Sequence, residues 1–219
     1  MKSRRILLLG ANGRTGRQIL DRALAAGDTV TALVRAEDRL ADLDHERLRV
    51  QVGSPCDPAV LEPLLVGQDA VVSVLGPRWP TRDATAIYPD AATAIVEAMQ
   101  RSRVRRLVVT SSALLFPARD VLARVLQCLV RGVVADAHRM ESRIRASTLD
   151  WTIVRTSFLT NGPSTDCAFS VDALPEAARP CHARPSRDSC STPAGRTVTR
   201  NEWWACAVRP TRFGVPGPR

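Results

Sequence analysis

The sequence predicts an α/β protein with a doubly wound parallel sheet, and three observations carry this prediction. Short apolar segments of strand length alternate with segments of helical periodicity over residues 4–154. The connections between these segments are short, and a glycine-rich loop follows the first apolar segment. Such alternation is typical of parallel strands with helices on both faces of the sheet. Ligands of such sheets bind at the carboxyl ends of the strands, where the strand order reverses.

Six strands are predicted from apolar runs of strand length. The first run is continuous and ends at Gly10, as expected for a strand that is buried on both faces. The six runs span residues 4–9, 29–34, 48–52, 70–75, 106–110 and 151–154.

Helical periodicity marks four further segments between the strands. The second of them has Asp57 as a predicted N-cap and Pro58 at its first position. In the last, Gly132 is a candidate break because glycine disfavours a helix interior. The four segments span residues 15–26, 57–66, 89–102 and 119–147.

The composition indicates a globular domain followed by a different C-terminal segment. The chain has 219 residues, of which 45% are hydrophobic, so it can bury a full core and wholesale disorder is excluded. The net charge of +9 is uneven: residues 1–180 carry 24 basic and 20 acidic residues, and residues 181–219 carry seven arginines and two acidic residues. We therefore predict a single domain at 1–180 and an atypical tail at 181–219.

The predicted tail has no apolar pattern of strand or helix length. Its cysteines, at 181, 190 and 206, are nine and 16 residues apart, which does not match a zinc site, and no metal site is predicted. Two interpretations of the tail remain open. Either a frameshift near residue 180 replaced the native C-terminus, or the tail is a genuine disordered basic segment.

The sequence shows no pattern typical of secretion, membrane insertion or nucleic-acid binding. The apolar run at residues 6–9 is shorter than the roughly 7–15 residues of a signal-peptide core, and no run reaches the roughly 18 residues of a membrane span. We expect a cytoplasmic protein with reduced thiols and no membrane association. The arginines are not interleaved with aromatic residues for base stacking, so nucleic-acid binding is not expected.

The loop Gly10-Ala11-Asn12-Gly13-Arg14-Thr15-Gly16 lies between the first strand and the first helix. Gly10 permits a tight turn, Gly13 lets the backbone approach a pyrophosphate, and Gly16 allows close packing of the helix on the strand. The helix N-terminus offers N–H groups and a partial positive charge to the phosphates. This pattern predicts a dinucleotide site, although the spacing is GxxGxxG rather than GxGxxG.

Arg35 ends the second predicted strand. Proteins that prefer NAD place an acidic residue there to bind the ribose 2′-hydroxyl, whereas a cation fits a 2′-phosphate. Arg14 and Arg39 add positive charge nearby, so we predict NADPH rather than NADH. The alternative, a solvated surface arginine, stays open.

Six segments, in this order, resemble the atypical short-chain dehydrogenase/reductase group of NAD(P)H-binding proteins, and within it the biliverdin-IXβ reductase/flavin reductase family. The resemblance covers residues 4 to about 180. It is carried by GANGRTG (10–16), TALVR (31–35), GQDAVVSVLGPR (67–78), VVTSSALLF (108–116), DAHRMESRIRASTLDWTIVR (136–155) and LTNGPSTD (159–166).

The resemblance implies a Rossmann-like domain that transfers hydride from NADPH to a flavin or a linear tetrapyrrole. We predict a flavin or a similar planar acceptor, such as a quinone. The resemblance also implies an active-site serine at Ser112, beside Ser111. The alternative is that this serine pair only caps the segment that follows. Together the loop and the resemblance predict cofactor contacts at Gly10, Asn12, Gly13, Arg14, Thr15, Gly16, Arg35, Leu75, Gly76 and Arg78.

A Tyr-x-x-x-Lys pair, which would relay protons in carbonyl reduction, is missing from the sequence. Tyr88 is the only tyrosine, and Ala92 occupies the fourth position after it. This disfavours carbonyl reduction and sugar-nucleotide epimerisation, whereas flavin reduction needs mainly stacking and hydride proximity. A non-catalytic NAD(P)H-binding sensor or regulator is the alternative, and the sequence does not predict an oligomeric state.

Overall fold

The computed structural model describes residues 3–36, 40–76, 87–116 and 121–156, which all lie within one compact unit, Met1–Ser157. Arg78, Arg39 and the predicted tail at 181–219 lie outside the described residues. The boundary at residue 180 and both interpretations of the tail therefore stay predictions.

Strands and helices alternate along the described chain. The strands are β1 (Arg5–Leu9), β2 (Thr29–Val34), β3 (Leu48–Val52), β4 (Ala70–Ser73), β5 (Arg106–Ser112) and β6 (Asp150–Thr156). The helices are α1 (Arg14–Ala25), α2 (Pro58–Leu65), α3 (Ile87–Arg101), α4 (Val121–Leu129) and α5 (Arg131–Arg145), and a short 3₁₀ turn, Ala113–Leu115, follows β5.

The six strands form one parallel sheet in the order β3-β2-β1-β4-β5-β6. β1 is central, and its Leu7 pairs with Thr31 of β2 on one side and with Val71 of β4 on the other. The strand order therefore reverses between β1 and β4, and the crevice at their carboxyl ends is where such sheets bind ligands. The predicted doubly wound α/β fold is confirmed.

Burial of β1 on both faces explains why its residues 6–9 are all apolar. Leu7 and Leu9 belong to one contiguous core that also contains Ile95 of α3 and Ile144 of α5. Side chains alternate along a strand, so Ile6 and Leu8 face the opposite side of the sheet, and they are also buried. α1 packs against β1 and β2 and buries Ile19, Leu20, Ala23 and Leu24.

A glycine in the left-handed conformation ends α1. Gly27 adopts φ +84°, a left-handed conformation that favours glycine, and the Asp28 N–H donates to the Ala23 carbonyl at 2.9 Å. The buried Asp28 carboxylate then accepts hydrogen bonds from the Arg4 backbone N–H (3.0 Å) and guanidinium (2.6 Å to Nη2). This pair joins the end of α1 to the residue that precedes β1.

Element boundaries differ from the sequence-based expectation by up to two residues; β4, for example, ends at Ser73 rather than at residue 75, and two further differences have a structural explanation. β5 extends two residues further than predicted because it pairs with β6 up to Ser112, opposite Thr156. Residues 121–145 form two helices, and the break lies at Val130 (φ −106°, ψ 24°) rather than at Gly132, which lies in the first turn of α5. The candidate break at Gly132 was thus two residues late. In the described part of the chain, no helix has the length and apolar character needed to cross a membrane.

Candidate functional site

The glycine loop forms a tight turn that leads directly into α1. Gly10 has φ +85°, and the Gly13 N–H donates to the Gly10 carbonyl at 3.0 Å. Gly13 is the N-cap of α1 and has extended backbone (φ −77°, ψ 160°), and no side chain caps this helix. The first turn contains no acidic residue. The N-terminus of α1 therefore presents N–H groups and partial positive charge suited to an anion.

The three glycines of the loop are required for different reasons. A β carbon on Gly10 would lie 2.9 Å from the Val74 carbonyl oxygen, and one on Gly16 would overlap the Gly10 carbonyl oxygen. A β carbon on the exposed Gly13 would meet only the Gly10 oxygen, at 3.3 Å. The fold itself thus requires glycine at 10 and 16, whereas a β carbon at the exposed Gly13 would press on one backbone oxygen only.

The loop after β4 lies against the glycine loop. The Val74 N–H donates to the Leu9 carbonyl at 2.9 Å, and the β-carbon position of Gly10 is 3.2 Å from the Leu75 nitrogen. Leu75 is half-buried and Gly76 is exposed, beside the Tyr88 hydroxyl of α3. The structure thus brings Leu75 close to the glycine loop at the crevice. Asn12 and Arg14 are exposed on the loop, and Thr15 is half-buried.

Arg35 lies at the same edge of the sheet. β1 and β2 are parallel, with Leu9 opposite Leu33, so Arg35 and Gly10 both follow the carboxyl ends of neighbouring strands. Arg35 is exposed, and within the described ranges its guanidinium has no hydrogen-bond or ion-pair partner. Burial raises the pKa of the Cys56 thiol, and the nearby Arg35 charge offsets part of that rise. Arg35 is therefore a cation that the described structure leaves available to an anionic ligand.

The two serines predicted at the active site have different environments. Ser111 is 3% exposed, and its hydroxyl donates to Oε1 of Glu141 at 2.7 Å. Ser112 is half-buried, and its Oγ accepts the Leu114 N–H at 3.2 Å. Ser112 thus caps the 3₁₀ turn, as the alternative interpretation proposed, yet its hydroxyl proton is not used in that contact. The predicted catalytic role of either serine stays a prediction.

Glu141 of α5 was not identified as a site residue from the sequence. It is 4% exposed, and Arg155 of β6 donates to both of its oxygens, at 2.9 Å (Nε to Oε1) and 2.6 Å (Nη2 to Oε2). Arg145 lies 3.5 Å from Oε2. The signal that would have found it is its position on the buried stripe of α5, with Ala137, Met140 and Ile144.

The Glu141 carboxyl is held in its charged form. Burial raises its pKa, but the hydrogen bonds from Arg155 and Ser111 and the charges of Arg155 and Arg145 outweigh burial, so its pKa lies below the ordinary value. At neutral pH, Glu141 is therefore an acceptor only, and the Ser111 hydroxyl must be the donor of their hydrogen bond.

A small cleft opens beside Gly76, between the sheet and two helices. It has room for about one water molecule (≈ 10 Å³). Its lining includes Leu75, Tyr88 of α3 and Met140 of α5. Burial raises the pKa of Tyr88, so its hydroxyl stays protonated at neutral pH.

Comparison with known proteins relates the chain to NAD(P)H-binding proteins. A family model described as NAD(P)H-binding matches residues 10–182. The photosystem II assembly factor Ycf39 of Synechocystis is 30% identical over 110 residues, which make up 49% of this chain and 33% of that protein. The chain thus matches about a third of the length of this relative.

Solved structures share the fold. A short-chain dehydrogenase/reductase from Veillonella parvula is 26% identical with a TM-score of 0.61, covering 74% of this chain and 72% of that one. Another structure of such an enzyme from that organism, in complex with NADP, is 24% identical with a TM-score of 0.56, covering 74% and 73%. WbmH of Bordetella bronchiseptica, in complex with NAD⁺, is 20% identical with a TM-score of 0.56, covering 70% and 56%.

Proposed function

This chain belongs to the NAD(P)H-binding family, and on that premise we propose that it is an NADPH-dependent oxidoreductase. Its membership and its structural neighbours confirm the resemblance to atypical short-chain dehydrogenases/reductases that the motifs indicated. The proposed acceptor is a flavin or another planar small molecule, such as a quinone. The observation that carries the proposal is the open, uncapped N-terminus of α1 at Gly13, at the point where the strand order reverses.

The residues present fit a dinucleotide phosphate. The pyrophosphate oxygens would accept hydrogen bonds from the backbone N–H groups in the first turn of α1, where Gly13 leaves the backbone exposed. The 2′-phosphate that distinguishes NADPH from NADH would pair with the Arg35 guanidinium at the end of β2. Among the structural neighbours, one is described in complex with NADP and another in complex with NAD⁺, so the proposed preference for NADPH rests on Arg35. When bound, NADPH would supply a hydride, and one further proton would complete the two-electron reduction of the acceptor.

Ser112 supports an acceptor site at the end of β5. It lies at the carboxyl end of the strand next to β4, and its hydroxyl proton is not used by its contact with Leu114. Through this proton, Ser112 would donate a hydrogen bond to a polar atom of the acceptor ring. Tyr88 lies on α3, and Ala92 stands where a Tyr/Lys proton relay would have its lysine. This favours an acceptor whose reduction by hydride does not need a strong acid in the site.

A non-catalytic NAD(P)H-binding protein is the second candidate. It is favoured by the one curated relative named above, which is described as an assembly factor rather than as an enzyme. In either case we propose that the protein acts in the cytoplasm on small molecules and does not bind nucleic acid.

The decisive experiment measures cofactor binding and turnover separately. Titration followed by nicotinamide fluorescence gives the Kd of NADPH and NADH, and absorbance at 340 nm follows NADPH oxidation with FMN, FAD and a soluble quinone. The reductase proposal requires oxidation that depends on both protein and acceptor. Tight NADPH binding without oxidation by any of these acceptors would support the non-catalytic candidate. Failure to bind either nucleotide would overturn both.

A further inference from the structure

The carboxyl ends of β5 and β6 are joined through a buried carboxylate. Ser111 pairs with Arg155 in the sheet, and the Glu141 side chain of α5 binds both of their side chains. Thr156, the next residue of β6, donates its hydroxyl to the Ser111 carbonyl at 3.2 Å. Ser111 is therefore fixed from two sides, by its hydroxyl and by its carbonyl.

The turn that follows Ser112 is fixed at its other end. The Arg155 guanidinium lies over the Phe116 ring, 4.6 Å from its centroid. The Gln127 side chain of α4 donates to the carbonyls of Leu114 and Phe116, each at 2.8 Å. Ser112 lies between these two points in the chain, and its side-chain oxygen accepts the Leu114 N–H.

From this arrangement we propose that Glu141 and Arg155 are a positioning pair that fixes the Ser112 hydroxyl at the acceptor site. Glu141 accepts the hydroxyl proton of Ser111, whereas in the described part of the chain the hydroxyl proton of Ser112 is not committed to a hydrogen bond and can serve a ligand. Arg155 connects the same carboxylate to the ring of Phe116. This inference rests on the proposed function, because it assigns Ser112 to the acceptor.

The charges of the pair suit a positioning role. Bidentate Arg–carboxylate contacts combine strength with a defined geometry, so they fix both the distance and the orientation of the elements that they join. Here the contact between Arg155 and Glu141 joins the end of β6 to α5, and the hydrogen bond from Ser111 joins the end of β5 to the same carboxylate. The position of the Ser112 hydroxyl relative to a reacting ring must be accurate to a few tenths of an ångström, because small misplacements in such sites reduce rates strongly.

The test compares Glu141→Gln with Asp136→Asn. Asp136 is the matched control because it is also a buried acid of α5, but it pairs with Arg139 of the same helix and not with β5 or β6. For Glu141→Gln we expect kcat with FMN to fall about tenfold while the Kd of NADPH changes less than twofold. Asp136→Asn should leave kcat and Kd unchanged. Arg155→Lys, which keeps the charge but loses the bidentate geometry, should resemble Glu141→Gln and serves if that variant does not fold.

Two further readouts separate positioning from loss of stability. In the nucleotide-free protein, amide hydrogen exchange over residues 112–116 should accelerate in Glu141→Gln but not in Asp136→Asn. In a Ser112→Ala background, Glu141→Gln should have no further effect on kcat, because the pair acts through that hydroxyl.

Additive effects of the two substitutions, or an unchanged kcat in an active enzyme, would overturn this inference and leave the proposed function intact. A wild type that binds NADPH but reduces no acceptor would overturn both, since no acceptor site would remain for the pair to serve.

Discussion

Gly16, in the first turn of α1, packs so closely on Gly10 that a β carbon on Gly16 would overlap the Gly10 carbonyl oxygen and lie 2.8 Å from the Ala11 Cα. Backbone atoms cannot move aside as the end of a side chain can. The contact fixes the start of α1 against the end of β1, and with it the direction in which the helix N-terminus points.

Substitution of two of the loop glycines should therefore separate folding from binding. Gly16→Ala should lower the free energy of unfolding by about 1–3 kcal/mol, because the added carbon forces backbone apart. Gly13→Ala should cost less, about 1 kcal/mol, since its β carbon meets one oxygen at 3.3 Å and alanine is a poorer N-cap than glycine. It should weaken NADPH binding about tenfold or more by blocking the approach of the pyrophosphate. Urea denaturation and fluorescence titration measure the two effects. Normal NADPH affinity in Gly13→Ala would argue against a phosphate site at this loop.

Replacing Arg35 should change cofactor preference without changing stability. Arg35→Ala should raise the Kd of NADPH about 10- to 100-fold, the range expected for a lost charge-assisted contact, and leave the Kd of NADH within about twofold. Arg103→Ala is the control, because Arg103 is also exposed and without a hydrogen-bond or ion-pair partner among the described residues, but lies before β5 at the opposite edge. Equal losses for both nucleotides would remove the 2′-phosphate role.

The Arg4–Asp28 pair should contribute to the stability of the fold but not to the binding of NADPH. Asp28 is 2% exposed and accepts from the Arg4 backbone and guanidinium, so Asp28→Ala leaves these donors without their acceptor. We expect a loss of about 2–3 kcal/mol in the free energy of unfolding. Since the pair lies before β1 and after α1, away from the crevice, the Kd of NADPH for the folded variant should match the wild type. Thermal and urea denaturation, followed by titration below the melting temperature, would show this.

Glu141 should make the protein sensitive to acid. Its pKa is lower in the folded state than in the unfolded chain, so the stability that it contributes is present above the ordinary glutamate pKa of about 4.3 and is lost as the pH falls through the lower folded value. The free energy of unfolding of Glu141→Gln, which cannot titrate, should therefore fall less steeply than that of the wild type below about pH 4.5. Urea denaturation at several values between pH 3 and 7 gives both slopes, and parallel slopes would contradict the assignment.

The N-cap of α2 offers a local test. Oδ1 of Asp57 accepts the Ala59 N–H at 2.9 Å, as the sequence predicted from Asp57 followed by Pro58. Asp57→Ala should cost about 1 kcal/mol of stability, whereas Asp57→Ser, which retains a capping oxygen, should cost a few tenths. Equal losses for the two variants would show that the cap does not carry the effect.

Local patterns in the sequence predicted the fold class and the family. Apolar runs and helical spacing placed the strands and helices within a few residues, because burial on one or both faces imposes a period of two or 3.6 on the residues themselves. Spacing alone likewise placed Gly10 and Gly13 between β1 and α1 and Gly16 at the start of α1, where the structure has them. The motif-based resemblance to NAD(P)H-binding proteins is confirmed by the family match over residues 10–182.

Tertiary structure decided what depends on partners distant in the chain. Glu141 stands in a charged stretch, among residues 136–145, that reads as solvated. It is buried because Ser111, 30 residues earlier, and Arg155, 14 residues later, meet it at the ends of β5 and β6. The same packing separated Ser111 from Ser112, which the sequence places side by side. A helical or strand period reports which face of an element is apolar, but the satisfaction of a buried charge is a property of the contacts that only the folded chain brings together.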